Sequence, residues 1–274
     1  MKVLSCHVIF NEPAMIYARK LKLELVSGDF KPLEGDVFVV FGAHCVSLQL
    51  YETQKRLKVG YIIMNSEQPD SHLIRDKFYI SLLKSNPVFD YSQCSTDYLK
   101  RVHGVNVLSH YFFEFMKIHS KEERKIDILF VGSICSERQK IQERLISKYP
   151  NKKIHFVFDW SLKSPNDLKN AYLNSKYVIN IPIYNSNSLE THRINNALSC
   201  GCHVVSHNKT DSKTIEFYDD YIHFVNDILD FDFDEEPEDK KPYEDMIKIL
   251  SQMLLTHNLF VMNQITEKNK SNSI

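Results

Sequence analysis

The sequence predicts an α/β fold, a compact version of two facing Rossmann-like domains with parallel sheets. Three observations lead to this prediction. Short apolar runs alternate with helical stretches along the whole chain, as expected where crossover helices connect parallel strands. Most runs are continuous and β-branched, which is typical of strands buried on both faces of a sheet. A charged segment, FMKIHSKEERK at residues 115–125, separates two sets of about five runs.

Five strands are predicted in each half of the chain. Those of the first half are Val3–Phe10, Asp36–Phe41, Lys58–Met64, Val88–Tyr91 and Val105–Leu108. Those of the second half are Ile126–Val131, Ile154–Phe158, Tyr177–Ile181, His203–Ser206 and Ile222–Val225. Helices are predicted at Ser71–Lys84, Ser95–Val102, Glu137–Lys148, Pro165–Asn174 and Tyr243–His257. We therefore expect one Rossmann-like domain over residues 1–114 and a second over 124–225. Residues 226–274 then hold an acidic loop, a terminal helix and a frayed tail.

Composition and charge narrow the class of protein. Hydrophobic residues make up 43% and charged residues 25% of the chain, as in an ordinary globular protein. Lysine and arginine number 34 against 35 acidic residues, which argues against a general nucleic-acid-binding protein. No apolar run approaches the roughly 18–20 residues of a membrane span. The first residues, MKVLSCHVIFNEP, favour a strand over a signal peptide. The six cysteines form no C-x-x-C pair, which favours reduced thiols and a cytoplasmic location.

The glycine pattern argues against two common nucleotide-binding classes. The sequence contains neither G-x-G-x-x-G nor G-x-x-x-x-G-K-[ST], so a conventional nicotinamide dehydrogenase and a P-loop NTPase are both disfavoured. Gly132 nevertheless lies between a strong predicted strand and a helix, in FVGSICSERQK. At such a turn, backbone N–H groups can approach an anion with help from the helix dipole.

Polar and basic residues near Gly132 fit a phosphate at this turn. Ser133 can contact a phosphate. Arg138 and Lys140 lie in the first helical turn, where cations oppose the helix dipole unless an anion is bound. The alternative is an ordinary strand-to-helix turn with basic residues on its surface.

Polar residues also follow predicted strands of the first domain. Asn65, Glu67 and Gln68 come directly after an apolar strand, where they would face a crevice between the domains. Glu67 is a candidate general base or hydroxyl binder, and the alternative is a cap for the helix near Ser71. His44 is a second candidate base, and the alternative is a structural histidine. The next strand ends in the same way, at Asp90, Tyr91 and Ser92.

The segment NSLETHRINNALSCGCHVVS, residues 187–206, predicts a helix between two strands. Asn187 and Glu190 have the spacing of a capping box, and Gly201 is expected to end the helix. Arg193 could hold a phosphate with two parallel hydrogen bonds, and Glu190 could accept hydrogen bonds from sugar hydroxyls. The alternative is a surface ion pair worth roughly 0.2–0.5 kcal/mol.

An acidic stretch, FDFDEEPEDKK at residues 231–241, allows two interpretations. Its D-x-D sequence could hold a metal ion. A solvated loop between a strand and a helix is the favoured interpretation, because no histidine and no sharp strand end accompany the acidic residues. No metal-binding residues are therefore predicted.

Four stretches resemble motifs of the GT-B-fold glycosyltransferases, in particular the bacterial and viral polysaccharide-type, family-1-like members. They are MNSEQ (64–68), FDYSQCSTDYL (89–99), FVGSICSERQ (130–139) and LETHRINNALSCGCHVVS (189–206). The resemblance covers roughly residues 60–225. It implies that the N-terminal domain lies on the acceptor side and that the C-terminal domain binds a nucleoside-diphosphate-sugar donor.

The resemblance also implies roles for individual residues. It implies that Gly132, Ser133 and Arg138 lie near the diphosphate and that Glu190, Arg193 and Asn195 lie near the nucleotide-sugar. Lys140 and Tyr184 are further donor-binding candidates. The acceptor-side candidates are Asn65, Gln68, Asp90, Tyr91 and Ser92. An inverting enzyme would need a base from the N-terminal domain, for which Glu67 and His44 are the candidates. Asn196 stands where many retaining members carry a glutamate, so inverting and retaining outcomes both stay open.

The function implied is transfer of a sugar from a nucleoside-diphosphate-sugar donor to a hydroxyl of a glycan acceptor. No metal or other cofactor is expected, because basic residues and helix dipoles stabilise the leaving diphosphate. The expected partners are the nucleotide-sugar and the glycan acceptor, with no nucleic acid and no membrane span. Two alternatives stay open. One is a non-catalytic nucleotide- or glycan-binding module of the same fold, and the other is a single-domain, metal-dependent transferase that uses the D-x-D sequence.

Overall fold

The computed structural model describes residues 1–7, 10–26, 30–109, 123–158, 165–183, 188–253 and 256. Within these ranges the chain forms one sheet of six strands and one of five, with helices between the strands. Every strand runs parallel to the strands it pairs with. The predicted α/β class with two parallel sheets is therefore confirmed.

The first sheet is built from residues 2–109. Its strands are β1 (Lys2–Ser5), β2 (Glu24–Val26), β3 (Val37–Phe41), β4 (Gly60–Asn65), β5 (Val88–Asp90) and β6 (Val107–Ser109). The helices of this half are α1 (Asn11–Leu21), α2 (Ser47–Leu57), α3 (Lys77–Ser85) and α4 (Gln93–Tyr98). Short helical turns lie at Ala43–Val46, His72–Arg75 and Leu99–His103. The spatial order is β2-β1-β3-β4-β5-β6.

The second sheet begins at residue 126. Its strands are β7 (Ile126–Gly132), β8 (Ile154–Phe158), β9 (Ser175–Asn180), β10 (His203–His207) and β11 (His223–Val225). The helices of this half are α5 (Ser136–Lys148), α6 (Pro165–Leu173), α7 (Thr191–Ser199) and α8 (Ser212–Tyr218), followed by a helical turn at Ile228–Asp230 and by α9 at residues 243–253. The spatial order is β11-β10-β9-β7-β8.

Both sheets share one doubly wound topology. The strand order reverses between β1 and β3 in the first sheet, and between β7 and β9 in the second. In open parallel sheets, ligands bind outside the carboxyl ends of the strands at such a reversal. Each sheet therefore has one favoured place for a ligand.

A single hydrophobic core continues through both sheets. It joins Val39 and Phe41 of β3 to Leu129 of β7 and Ile194 of α7. Two further cores lie on the opposite faces, one beneath α2 and α3 and one beneath α5. Because helices pack on both faces of each sheet, the central strands are buried on both sides, which explains their continuous apolar sequences.

Helix α9 packs into the shared core. Met246 and Leu250 are both fully buried there. On the outside, Nζ of Lys20 in α1 donates a hydrogen bond to Oγ of Ser251 at 2.8 Å. The terminal helix thus ties the end of the described chain to the first helix.

Several element boundaries differ from the sequence prediction. All ten predicted strands are present, but Val3–Phe10 is too long, since β1 ends at Ser5 and α1 begins at Asn11. Strand β2 and helices α1, α2 and α8 were not predicted. The predicted helix Ser71–Lys84 is divided into a short turn and α3, which begins at Lys77.

The predicted domain boundary and tail fall largely outside the described residues. Most of segment 115–125 lies in the undescribed range 110–122, and the tail lies beyond residue 256. The domain limits therefore stay a prediction. Within the described ranges, none of the helices combines the length and apolar character needed to cross a lipid bilayer.

We expect Leu250→Ala to destabilise the protein by about 2–5 kcal/mol, because it removes a fully buried side chain from the core shared by the two sheets. Ile249→Ala is the matched control, since Ile249 is 45% exposed on the same helix, and it should cost less than about 1 kcal/mol. Urea unfolding followed by circular dichroism measures both values. Equal effects of the two substitutions would contradict the packing described for α9.

Candidate functional site

The second sheet gathers polar side chains at the point where its strand order reverses. This point lies between β7, which ends at Gly132, and β9, which ends at Asn180. Arg138 reaches it from the first turn of α5, and Arg193 reaches it from α7. Both guanidinium groups lie over the ring of Phe130, at 4.8 and 4.9 Å from its centroid. The resulting cluster joins two strands and two helices at the carboxyl edge of the sheet.

Arg138 is held by the backbone on both sides of this edge. Its side chain is only 1% exposed. The Nε group donates to Ile181 O at 3.0 Å and Nη1 donates to Ser133 O at 2.8 Å. The Nη2 group donates to Glu190 Oε1 at 3.0 Å. Burial lowers the pKa of Arg138, and the carboxylate of Glu190 opposes that shift. Arg138 thus fixes the loop after β7 against the chain that follows β9.

Arg193 makes a parallel set of bonds from α7. Its Nε donates to Val131 O at 2.7 Å, and its Nη1 donates to Asn180 Oδ1 at 2.5 Å. Its Nη1 also donates to Glu190 Oε2. The Arg193 side chain is 10% exposed, so it is closer to solvent than Arg138. Two guanidinium groups against one carboxylate leave a net positive charge at this edge.

Glu190 precedes helix α7 rather than lying within its first turn. The helix begins at Thr191, and the Glu190 side chain makes no capping hydrogen bond. The predicted cap, Asn187, lies outside the described residues. Gly201 follows the end of the helix with a φ of 71°, as the sequence predicts. Because the carboxylate of Glu190 does not cap α7, it is available to bridge the two arginines.

Gly132 is required by the same cluster. A Cβ atom built on it would lie 2.6 Å from Arg193 Nη2 and 2.9 Å from Phe130 Cζ. Both distances are too short for a real contact. The sequence predicts that an anion approaches this glycine, and the structure shows a second reason for its small size, the space taken by Arg193.

The remaining donor-side candidates are dispersed. Ser133 and Lys140 are exposed, Ser133 in the loop after β7 and Lys140 on the solvent side of α5. Asn195 is buried, and its Oδ1 accepts a hydrogen bond from the Tyr218 hydroxyl at 3.0 Å. Tyr184 lies outside the described residues. The site is therefore centred on the arginine cluster and the loop beside it.

In the first sheet, the two candidate bases form one pair. His44 lies in the turn after β3, and Glu67 follows the neighbouring strand β4. His44 Nε2 lies 3.2 Å from Glu67 Oε1, and Ser71 Oγ donates to Glu67 Oε2 at 2.7 Å. Burial lowers the pKa of His44, the charge of Glu67 opposes this, and nearby His7 adds to it. A neutral imidazole oriented by a carboxylate is the arrangement expected of a general base.

The other acceptor-side candidates lie beneath the surface. Asn65, Gln68, Asp90, Tyr91 and Ser92 are all buried. Asn65 Nδ2 donates to Asp90 Oδ2 at 2.5 Å, and the backbone N–H of Ser92 donates to Asp90 Oδ1 at 2.8 Å. The sequence analysis expects these side chains to face the crevice. The structure instead uses them to support the strand ends, because buried polar groups need internal hydrogen-bond partners.

The two carboxyl edges meet where β5 ends and α7 begins. Ser92 Oγ donates to Ser188 Oγ at 3.1 Å. Beside it, the rings of Tyr91 and His192 pack with their centroids 5.5 Å apart. Tyr91 lies within electrostatic range of both Glu67 and Glu190, so this contact stands between the histidine–glutamate pair and the arginine cluster.

The acidic residues of the D-x-D region are engaged in local contacts. Asp227 and Asp230 form a capping box around the helical turn. Asp232 Oδ1 accepts from the backbone N–H of Asp234 at 2.9 Å, and Asp234 Oδ1 lies 2.8 Å from Lys152 Nζ. Among the residues that the structure describes, no three histidine, cysteine or acidic side chains are grouped to hold a metal ion. These contacts fit the solvated-loop interpretation.

Two members of the site were missed by the sequence analysis. Asn180 is the last residue of β9 and orients Arg193, while Phe130 supports both guanidinium groups from below. Asn180 is a polar residue at the end of an apolar strand, which is the signal that identified Asn65. Phe130 resembles any other core aromatic residue in the sequence.

Comparisons with known proteins add a limited set of findings. No family model matches the sequence, and no curated protein matches it. Solved structures do match, among them an S. aureus TarM variant in complex with fondaparinux, α-GlcNAc-glycerol and UDP. It is 13% identical, with a TM-score of 0.46, over 71% of this chain and 46% of that chain. This chain thus spans less than half the length of the TarM chain.

Two further matching structures cover more of both chains. A glycosyltransferase from Rickettsia africae is 10% identical, with a TM-score of 0.46, over 92% of this chain and 88% of that chain. An α,α-trehalose-phosphate synthase (UDP-forming) from Burkholderia vietnamiensis is 10% identical, with a TM-score of 0.49, over 96% and 77%. TM-scores below 0.5 at these identities establish neither a shared family nor a shared function.

We expect Gly132→Ala to destabilise the protein by about 1–3 kcal/mol, because the added methyl group overpacks against Arg193 and Phe130. Gly60→Ala is the control, since a Cβ there would meet Val37 at an ordinary 3.4 Å, and it should change stability by less than about 1 kcal/mol. Chemical denaturation of both variants is the measurement. A Gly132 variant as stable as the wild type would show that the arginines do not occupy this space.

Proposed function

We propose that the chain is a glycosyltransferase that moves a sugar from a nucleoside-diphosphate-sugar donor to a hydroxyl of a glycan acceptor. One observation carries this proposal. A positively charged arginine cluster lies at the strand-order reversal of the second sheet, a histidine–glutamate pair lies after β3 and β4 of the first sheet, and the contact between Ser92 and Ser188 joins the two halves. The donor has an anionic leaving group, which a positively charged cluster can stabilise. The acceptor must lose a proton, which a base can take.

The arginine cluster is suited to the diphosphate of the donor. Its net positive charge favours an anion, and the N–H groups at the start of α5 add the favourable end of a helix dipole. Arg193, the more exposed of the two arginines, is assigned the direct contact with phosphate. Arg138 is assigned to positioning, because its bond to Ser133 O holds the loop that faces the phosphate.

The histidine–glutamate pair is suited to the acceptor. In the proposed step, the acceptor oxygen bonds to the anomeric carbon while the bond from that carbon to the diphosphate oxygen breaks. His44 takes the hydroxyl proton, and the diphosphate leaves with the bonding electrons. The guanidinium groups and the helix dipole stabilise the charge that develops on the leaving group, so the step does not require a metal ion. A single displacement of this kind inverts the anomeric centre.

A second candidate function is a binding module without turnover. It is favoured by the internal bonds of the cluster, since Glu190 already pairs with both Arg138 and Arg193. Asn196 also favours a binding module, because it is buried in α7 at the position where the resemblance implies a glutamate. Such a module would bind nucleotide or glycan but release no product.

Ligand screening followed by turnover separates these functions. Thermal shifts with UDP-, GDP-, dTDP- and CMP-sugars identify the nucleotide, because a ligand that binds only the native state raises the melting temperature. The stabilising donor is then incubated with oligosaccharide acceptors, and free nucleotide is measured. Transfer or donor hydrolysis supports the enzyme, while a melting shift with no product supports the binding module. The absence of any shift would contradict both.

We expect Arg193→Ala to weaken binding of the stabilising nucleoside diphosphate about 10- to 100-fold, the loss of one charge-assisted hydrogen bond. Arg144→Ala is the control, because it removes the same charge from an exposed ion pair with Asp227. Isothermal titration calorimetry, performed below the melting temperature of each variant, measures the affinities. Unchanged affinity in Arg193→Ala would contradict the donor-site assignment.

The rate of transfer should fall only at acidic pH. The pKa of His44 lies below its ordinary value of 6.5. The imidazole therefore stays neutral until the pH falls to this lowered pKa, and it no longer acts as a base once it has gained a proton. We expect the acid limb of kcat/KM to have its midpoint below pH 6.5. Glu67→Gln should move the midpoint lower still, because the Glu67 carboxylate raises the pKa of His44.

Two variants control this pH prediction. His44→Gln should reduce kcat by about 100- to 10,000-fold, the usual contribution of a general base. Replacing the exposed His72 by Gln should leave the acid limb where it is. Full activity of His44→Gln, or an upward movement of the midpoint in Glu67→Gln, would show that His44 is not the base.

A further inference from the structure

Asp90 is a carboxylate with no exposed surface, buried between the first sheet and α4. Its Oδ2 accepts from Asn65 Nδ2 at 2.5 Å and from Ser95 Oγ at 2.7 Å. Its Oδ1 accepts from the backbone N–H of Ser92 at 2.8 Å. Three donors aimed at two oxygens match an ionised carboxylate, which only accepts hydrogen bonds.

Asn65 links this carboxylate to Glu67. Its Nδ2 donates to both Asp90 Oδ2 and the backbone carbonyl of Glu67, the latter at 3.1 Å. Its Oδ1 accepts from the backbone N–H of Glu67 at 3.2 Å and from the Tyr79 hydroxyl. The Asn65 amide thus clamps both backbone polar groups of Glu67, and Asp90 determines which way that amide points.

Through Glu67, this set of hydrogen bonds reaches the candidate base, His44. With its backbone fixed by Asn65, Glu67 presents one carboxylate oxygen to His44 Nε2 and the other to Ser71. No atom of Asp90 is exposed, so it cannot contact an acceptor glycan. Its influence on the reaction must pass through Asn65 and Glu67.

We propose that Asp90 is a positioning residue which, through Asn65, holds Glu67 against His44 and so orients the catalytic base. This inference deepens the proposed function and rests on it for its catalytic meaning. The contacts that run from Asp90 through Asn65 and Glu67 to His44 can be tested without measuring turnover.

Asp90 also connects this chain to the second sheet. It accepts from Ser92, whose Oγ donates to Ser188 just before α7. One carboxylate therefore supports both the base and the contact with the half that carries the arginine cluster. A common support for the base and for the contact with the second half matters, because a misplacement of about 1 Å between reacting groups costs about 100-fold in rate.

The charged and titratable groups around Asp90 come from several elements. They are Glu67 after β4, Tyr79 of α3, Tyr91 after β5 and His192 of α7. Burial raises the pKa of Asp90 to about 7, while the three hydrogen bonds and His192 act in the opposite direction. The hydrogen bonds therefore favour the ionised, accepting form, but they offset only part of the effect of burial, since the pKa stays above its ordinary value.

Asp90→Asn is an almost isosteric change that breaks the clamp. The new amide group would point an N–H either at Asn65 Nδ2 or at the backbone N–H of Ser92, so a donor meets a donor in both orientations. Asn65 cannot reverse its own amide without losing its bonds from Tyr79 and Glu67. Glu67 should then move away from His44.

The test is the NMR titration of the His44 side chain, identified by its absence in His44→Gln. In Glu67→Gln the pKa of His44 should fall, because the carboxylate that raises it is gone. In Asp90→Asn the pKa should also fall, since Glu67 is displaced. The double variant should match Glu67→Gln alone, because both changes act through one contact.

Two further variants keep the test decisive. Asp97→Asn is the matched control, because Asp97 is exposed on α4, and the pKa of His44 should not change in it. If Asp90→Asn does not fold, Asn65→Ala cuts the same chain one residue further along and should also lower the pKa of His44. An unchanged His44 titration in whichever of these variants folds, with the shift still present in Glu67→Gln, would overturn the proposal.

Kinetics separates this inference from the proposed function. If the wild type transfers sugar, Asp90→Asn should lower kcat about 10- to 100-fold and leave the nucleoside-diphosphate Kd within twofold. An equal loss of nucleotide affinity would indicate general damage and would overturn the positioning role. If the wild type transfers no sugar with any donor, the proposed function fails, and the His44 titration still decides whether Asp90 positions Glu67.

Discussion

The carboxylate of Glu190, held between the guanidinium groups of Arg138 and Arg193, is the interaction on which the site depends. It joins the loop after β7, the end of β9 and the start of α7 in one charged cluster beneath which Phe130 is packed. Removing one partner from such a buried group typically costs about 3–5 kcal/mol, because the remaining charge is left without compensation. Gly132 has no side chain because the arginines fill the space where one would be. The cluster therefore ties the segments that follow β7 and β9 to the start of α7 and leaves a net positive charge at this edge of the sheet.

The first sheet also has a fully buried polar side chain that organises its neighbours, and this one is acidic rather than basic. Asp90 is the buried acceptor, and Asn65 links it to Glu67 and, through Glu67, to His44. In both sheets a fully buried polar side chain, Asp90 or Arg138, makes the internal bonds, and a more exposed one, His44 or Arg193, lies closer to solvent. The hydrogen bond between Ser92 and its partner in the second half then fixes the distance between the two sets. Catalysis by proton removal and leaving-group stabilisation needs that distance to be constant.

The sequence predicts the sheets better than the site. Continuous apolar runs identify ten of the strands, most readily the central ones that are covered on both faces. Strand β2, Glu24–Val26, is a three-residue strand at the sheet edge with one buried residue. The rule that polar residues lie at strand ends draws attention to Asn65, which is the last residue of β4. It cannot tell which of these residues are buried, because burial depends on contacts between distant parts of the chain. Arg138 looks like a surface residue of a charged helix, yet it is 1% exposed because its partner Glu190 lies 52 positions further along the sequence.

The function proposed requires the donor to bind at the arginine cluster of the second sheet and the base to act from the first sheet. A crystal structure of the protein with a bound nucleoside diphosphate tests it most directly. The account predicts that the diphosphate lies at the loop after Gly132, within hydrogen-bonding distance of Arg193, with its outer phosphate directed towards His44. Binding of the nucleotide elsewhere would contradict the account, most clearly binding at the opposite edge of the second sheet in the cavity of about 350 Å³ beside Tyr177 and His203.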